Sequence, residues 1–151
     1  MRKEDFRVED GQWLARITPD AGTVKAGGYR DVPLHPQIID QGFADFVHNA
    51  NPGPLFHNGT DPDYYQRKSE QAAGQLRDWL RENELTPKGL QPNHAWRHRF
   101  KTLSRELGIS DRVVDAIQGH AGKSAGDNYG DVTLKTRADA IRKLPIYTLN
   151  D

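Results

Sequence analysis

Between Asn93 and Leu107 the chain places His94, Arg97, His98, Arg99, Lys101 and Arg105. Imidazoles and guanidiniums at this density suit one chemistry above others: holding an anion while moving a proton beside it. At about 100° per residue, Trp96, Phe100, Leu103 and Leu107 gather into a narrow apolar stripe. His94, Arg97, His98, Lys101 and Arg105 fall on the opposite side. A solvated helix face ordinarily mixes charge signs at i,i+4 spacing, whereas this one is almost purely cationic or titratable. Pro92 and Asn93 open the helix, with Asn93 as its expected N-cap. Basic side chains there oppose the helix dipole, so His94 and Arg97 make sense where free amides and a guanidinium converge on phosphate. A basic surface helix with two incidental histidines is the plainer alternative.

Other chemistries fit less well. His94 and His98 have the i,i+4 spacing of helical zinc ligands, but Ala95 stands where a metalloprotease needs glutamate, and Arg97 would repel a cation. Gly119-His120-Ala121-Gly122-Lys123-Ser124 has two residues where a P-loop has four, and no strand precedes it. A metal-dependent nuclease needs convergent carboxylates. The pairs Asp61/Asp63, Asp111/Asp115 and Asp127/Asp131 read more economically as caps and surface charge. The chain has no cysteine, which removes disulfides, thiolate metal sites and a cysteine nucleophile together. No metal or cofactor is expected. Tyr129 lies nine residues after His120, between Asn128 and Gly130. Alone, such a tyrosine reads as a packed or half-exposed aromatic.

These groups need elements to hold them. Trp13–Thr18 reads as a strand ending at Pro19. Thr23–Lys25 and Tyr29–Val32 flank Gly27-Gly28 as a hairpin, with Lys25 close to its tip. After His35-Pro36 a helical pattern runs through Ile38, Ile39, Phe43 and Phe46, and the Pro- and Gly-rich stretch from Asn49 to Asp63 reads as a loop. Asp63–Arg81 resumes a helical period with Ala72, Leu76, Trp79 and Leu80 as core. Helices are expected at Asn93–Leu107, at Ser110–Gln118 with Ser110 as N-cap, and at Thr133–Leu144. Val113, Val114 and Ile117 face the core, and Gly119 closes the second of these helices. The expected fold class is α+β: a small antiparallel sheet followed by a mostly helical bundle. It forms a single unit over residues 1–151.

Composition bounds the function. The 151 residues carry 21 basic and 21 acidic side chains and six histidines, with 35 % hydrophobic residues. Mean hydropathy is −0.84. The longest apolar run is three residues, Trp13–Ala15, so neither a membrane span nor a signal-peptide core is present in this sequence. A reducing, cytoplasmic compartment is expected, with no membrane partner. From Lys88 to Arg112, six basic residues face two acidic ones, a local surplus of four that the rest of the chain offsets. A positive face can hold a phosphate backbone even on a neutral molecule.

Taken in order, these residues resemble the catalytic domain of the tyrosine recombinases, the phage-integrase family. Tyr29-Arg30-Asp31-Val32-Pro33-Leu34-His35-Pro36 is similar to the family's strand-to-helix segment, with Lys25 matching its hairpin lysine. His94-Ala95-Trp96-Arg97-His98-Arg99-Phe100 resembles its His-x-x-Arg-His-x-Phe box. Gln118-Gly119-His120 resembles its Leu-Gly-His turn, with Gln118 in place of leucine, and Tyr129 stands where the nucleophile stands. The resemblance implies site-specific recombination or integration of double-stranded DNA through a 3′-phosphotyrosyl intermediate, without metal or ATP. It implies that Arg97 clamps the phosphate, His94 and His120 supply hydrogen bonds and proton transfer, and Lys25 protonates the leaving 5′ oxygen. Arg99, Lys101, Arg105, His98 and Lys123 are the expected DNA contacts. Copies of the chain on DNA are the expected partners, as a tetramer for the full-length parent.

The family also uses an earlier phosphate-clamping arginine and an amino-terminal DNA-clamping domain. Arg2 and Arg7 are the only upstream candidates, and neither sits in a matching context. The chain is therefore expected to be an incomplete catalytic domain with little activity alone. A non-catalytic DNA-binding module using the basic helix 93–107 is the alternative. The apolar tail Pro145–Leu149 is expected to dock either on its own core or on a neighbouring copy.

Overall fold

The computed structural model describes residues 1–18, 29–87, 89–120 and 131–148. A short 3-10 turn (Lys3–Asp5) leads into strands β1 (Phe6–Glu9), β2 (Gln12–Ile17) and β3 (Arg30–Pro33). Helices α1 (Pro36–Asp40), α2 (Phe43–Asn49), α3 (Tyr65–Glu82), α4 (Pro92–Glu106), α5 (Asp111–Gln118) and α6 (Leu134–Arg142) follow. The architecture is α+β, with a three-stranded antiparallel sheet in the order β1-β2-β3.

β1 was not expected, although its signal is local. Asp10 and Gly11 have φ of 49° and 73°, both left-handed, and join β1 to β2 in register from Phe6 opposite Ala15 to Glu9 opposite Gln12. Asp-Gly is the preferred sequence for such a two-residue hairpin turn, because glycine enters that region freely and aspartate tolerates it. The second hairpin was expected around Gly27-Gly28; Thr23–Gly28 lies outside the described residues. β3 pairs antiparallel with β2, Leu14 opposite Pro33 and Ile17 opposite Arg30. Leu14 and Ala15 are both buried, and since successive strand residues point to opposite faces, both faces are covered at the centre of β2.

The continuous helical pattern after Pro36 is two short helices, because Gly42 adopts φ 86° between them. Pro36 occupies the first turn of α1, where its missing N–H costs nothing. His35 caps it: Nδ1 accepts from the Gln37 amide at 3.2 Å, so Nε2 carries the proton and faces the Leu144 carbonyl at 3.2 Å. α2 adds Phe43 and Phe46 to an aromatic row that runs from Phe6 to Phe56, with neighbouring centroids 5.2, 5.8 and 6.2 Å apart.

The main core lies between β3 and the last three helices. Ile109, Val114, Ile117, Ala140 and Ile141 are buried there, with Val32, Phe100, Val113 and Leu144 packed against them. Each large aliphatic side chain in such a cluster contributes about 1.5–3 kcal/mol. α5 is bounded as expected: Ser110 Oγ accepts from the Val113 amide, and Gly119 closes it at φ 71°.

Three expectations about the helices are corrected. No residue of α3 is buried, and Leu76 and Trp79 are 51 % and 52 % exposed although α3 packs on α4. On α4 the N-cap is Gln91, with Pro92 at the first helical position, so Asn93 lies inside the helix. Trp96 is 63 % exposed, which leaves Phe100 and Leu103 as the inward end of that stripe.

Candidate active site

The C-terminal end of α5 is where the chemistry gathers. A helix leaves its last carbonyls without intrahelical partners. Here the Asp115 carbonyl accepts from the backbone N–H of Gly119 and of His120. The Ile117 and Gln118 carbonyls accept from guanidiniums instead, Arg30 Nε at 3.3 Å and Arg97 Nη2 at 3.0 Å. α4 and α5 are clasped in both directions, since the Gln118 side-chain amide donates back to the Arg97 carbonyl at 2.9 Å. Gln118 is buried, so this pairing spares two polar groups an unsatisfied burial.

His120 leaves the helix at the Gly119 turn. Its Nε2 lies 2.8 Å from Arg97 Nη2, and its Nδ1 lies 3.0 Å from Asp115 Oδ1. A guanidinium can only donate, so Nε2 is the accepting nitrogen and Nδ1 carries the proton given to Asp115. The network thus selects one tautomer of a neutral imidazole. Asp115 also accepts from Lys101 Nζ at 3.3 Å. Burial works against ionisation of this carboxyl, but the hydrogen bonds from His120 and Lys101 outweigh it and hold it below the ordinary aspartate range. Chemically, the arrangement offers a cationic fork and an oriented proton acceptor side by side.

Of the residues singled out in the sequence, Arg97 and His120 are brought together, and Lys101 joins them through Asp115. His94 lies in the first turn of α4. Its ring meets that of His98 edge-on, with centroids 4.6 Å apart. It also lines a cleft of about 410 Å³ with Arg77, Arg81, Gln91 and Pro92. Arg99 is drawn to the tail, where Nη2 donates to the Tyr147 hydroxyl at 3.2 Å. The tail itself docks in cis: the Gln37 amide donates to the Tyr147 carbonyl and accepts from its N–H. Arg105 pairs with Asp111 at 3.3 Å on an exposed surface. Lys25, Lys123 and Tyr129 lie outside the described residues.

Two participants were underread. The sequence reads Asp115 as cap or surface charge, yet its i,i+5 relation to His120 across a closing glycine is a local signal. Arg30 appeared only as part of the segment before Pro33, and its approach to Ile117 spans 87 positions that no local pattern reports. The other paired carboxylates do local work. Asp61 caps the 3-10 turn Pro62–Tyr64 and Asp111 pairs with Arg105, while Asp127 lies outside the described residues. The upstream arginines are committed elsewhere: Arg2 to Asp5, and Arg7 to Asp31 and Glu9.

Compared with protein-family models, curated proteins and solved structures, the chain has no match.

Proposed function

We propose that this chain breaks and rejoins double-stranded DNA at a phosphodiester seated on Arg97 and His120, with Tyr129 as nucleophile. The observation that carries the reading is the Arg97–His120–Asp115 relay at the end of α5. It supplies the two things that attack by a phenol on a phosphodiester requires. One is positive charge for the non-bridging oxygens as they gain density. The other is an oriented nitrogen able to accept the phenolic proton.

In this step Arg97 Nη2 turns from His120 Nε2 to the phosphate, the Tyr129 oxygen bonds to phosphorus, its proton passes to the lone pair freed on Nε2, and the bond to the 5′ oxygen breaks. The departing oxygen takes a proton from Lys25, the role that the resemblance assigns to the hairpin lysine. A 3′-phosphotyrosyl link stores the bond for rejoining, so neither metal nor ATP is consumed. Asp115 and Lys101 act through His120 as positioning residues.

The test is a nicked suicide duplex, drawn from DNA flanking the gene, incubated with the chain and with Tyr129→Phe. A covalent adduct that resists EDTA and is lost in Tyr129→Phe supports the reading. Salt-sensitive binding that Arg97→Ala weakens, with no adduct and no effect of Tyr129→Phe, replaces it with a DNA-binding module that performs no chemistry.

A further inference from the structure

We infer that Arg30 is a second phosphate-clamping residue, forming with Arg97 a two-guanidinium cradle for one phosphodiester group against the C-terminal end of α5. The nature of the anion rests on the function proposed above; the cradle itself rests on geometry.

Arg30 comes from β3 and Arg97 from α4, yet both guanidiniums are anchored on consecutive carbonyls, Ile117 at 3.3 Å and Gln118 at 3.0 Å. Gly119 makes room for this. It has φ 71°, and a Cβ built on it would overlap the Arg30 guanidinium. The chain therefore has glycine where both the backbone and the arginine require it.

The charge of the pair is not neutralised by a carboxylate among the described residues. Asp31, next to Arg30 in sequence, gives its carboxylate to Arg7 and Arg16. Asp115, the acid nearest this end of α5, is engaged by His120 and Lys101. The negative end of a helix dipole offsets only about half a charge. Burial, followed by the positive charge of Arg97, pushes the Arg30 guanidinium below the ordinary arginine value. Two like charges held together and partly desolvated are unfavourable unless an anion joins them. Donor capacity remains for one. Among the described residues Arg30 gives the protein its Nε–H and Arg97 uses Nη2, so most of the N–H groups of both forks are left for ligand oxygens.

The simpler account is that Arg30 only caps α5, as basic side chains near a helix end can do. Titrating the chain with inorganic phosphate, while following the arginine Nε–H and His120 signals by NMR, separates the two. Arg30→Gln keeps a donor for the Ile117 carbonyl but loses charge and fork. It is expected to weaken phosphate binding on the order of tenfold or more, as is Arg97→Gln. Arg30→Lys, which keeps the charge and disturbs folding least, is expected to restore only part of the affinity. Unchanged phosphate affinity in a folded Arg30→Gln or Arg30→Lys overturns the clamp and leaves a cap. Absence of phosphate binding by the unaltered chain overturns it too. If phosphate binding depends on both arginines but no Tyr129-dependent adduct forms, the cradle stands and the strand-breaking reading falls. If Arg30 variants form the adduct at the unaltered rate, the reading stands and the clamp falls.

Discussion

Arg30 and Asp31 are neighbours on β3, yet they belong to opposite kinds of charge cluster. On one face Asp31 receives two guanidiniums: Arg7 Nη1 and Nη2 donate to Oδ1 and Oδ2 at 2.9 and 2.8 Å, and Arg16 Nε and Nη2 donate to the same oxygens at 2.8 and 2.9 Å. Every partner is protein and every lone pair is claimed, so the cluster is closed. Arg30 points to the other face, where it meets the charge of Arg97 and the Ile117 carbonyl and keeps donors that no described residue takes. The same residue types in one strand therefore divide by completeness. A satisfied cluster holds the sheet together, and an unsatisfied one is set for a ligand.

The sharpest way to break this comparison is to exchange the expected costs. Arg97→Ala should lower the rate of adduct formation by about 10² to 10³, as loss of a preorganised donor at a developing oxyanion does. It should cost no more than about 1 kcal/mol of stability, because its protein bonds are a cap and an exposed contact. Single-turnover rates and urea midpoints on the same preparation check both. A variant that is strongly destabilised while keeping its rate would make the open cluster structural after all.

The converse holds for the closed cluster. Asp31→Asn should lose about 2–3 kcal/mol, since two forked guanidiniums then face a neutral amide. The adduct rate per folded molecule should not change. Acid sharpens the point. Hydrogen bonds from Arg16 and Arg7 hold the Asp31 carboxyl below its ordinary value of 3.8. Its contribution is therefore complete above about pH 4 and is lost as pH falls further. Urea midpoints between pH 5 and pH 2.5 should converge for the two proteins, with the unaltered chain losing more.

How far the sequence foretold this division depends on how local each feature is. α5 was legible end to end, because Ser110, the Val113/Val114/Ile117 spacing and Gly119 are all signals within one helix. The cationic face of α4 was legible for the same reason and pointed to Arg97, whereas His120 was joined to Arg97 only through the family resemblance. The burial of Leu76, Trp79 and Trp96 was misjudged, since periodicity shows that a helix has an apolar face but not whether anything covers it. Arg30 and Asp31 could not be sorted by any local rule. Their partners are set by sheet register and by a contact across 87 positions.

A smaller effect tests the relay that orients His120. Asp115→Asn removes the anion that accepts from Nδ1 and from Lys101, so the imidazole can rotate or change tautomer. About a tenfold slower adduct formation is expected, in line with other residues that orient a catalytic or ligating histidine. DNA affinity and the urea midpoint should move little. If affinity falls instead with the rate constant unchanged, Asp115 serves the DNA surface rather than His120.

The smallest expected effect concerns Arg99, a cation whose partner is the tail. Its guanidinium lies 5.6 Å from the Tyr147 ring centroid and also donates to the hydroxyl, both on an exposed surface. Such contacts hold a side chain by no more than about 1 kcal/mol. A phosphate within reach would compete for Arg99 on equal terms. Tyr147→Ala should therefore release Arg99 and steepen the slope of log binding constant against log salt by about 0.9, the increment for one more neutralised phosphate. An unchanged slope would mean that Arg99 faces away from the DNA path. Arg99 would then belong with the closed cluster on β3, as a guanidinium whose work is finished within the protein.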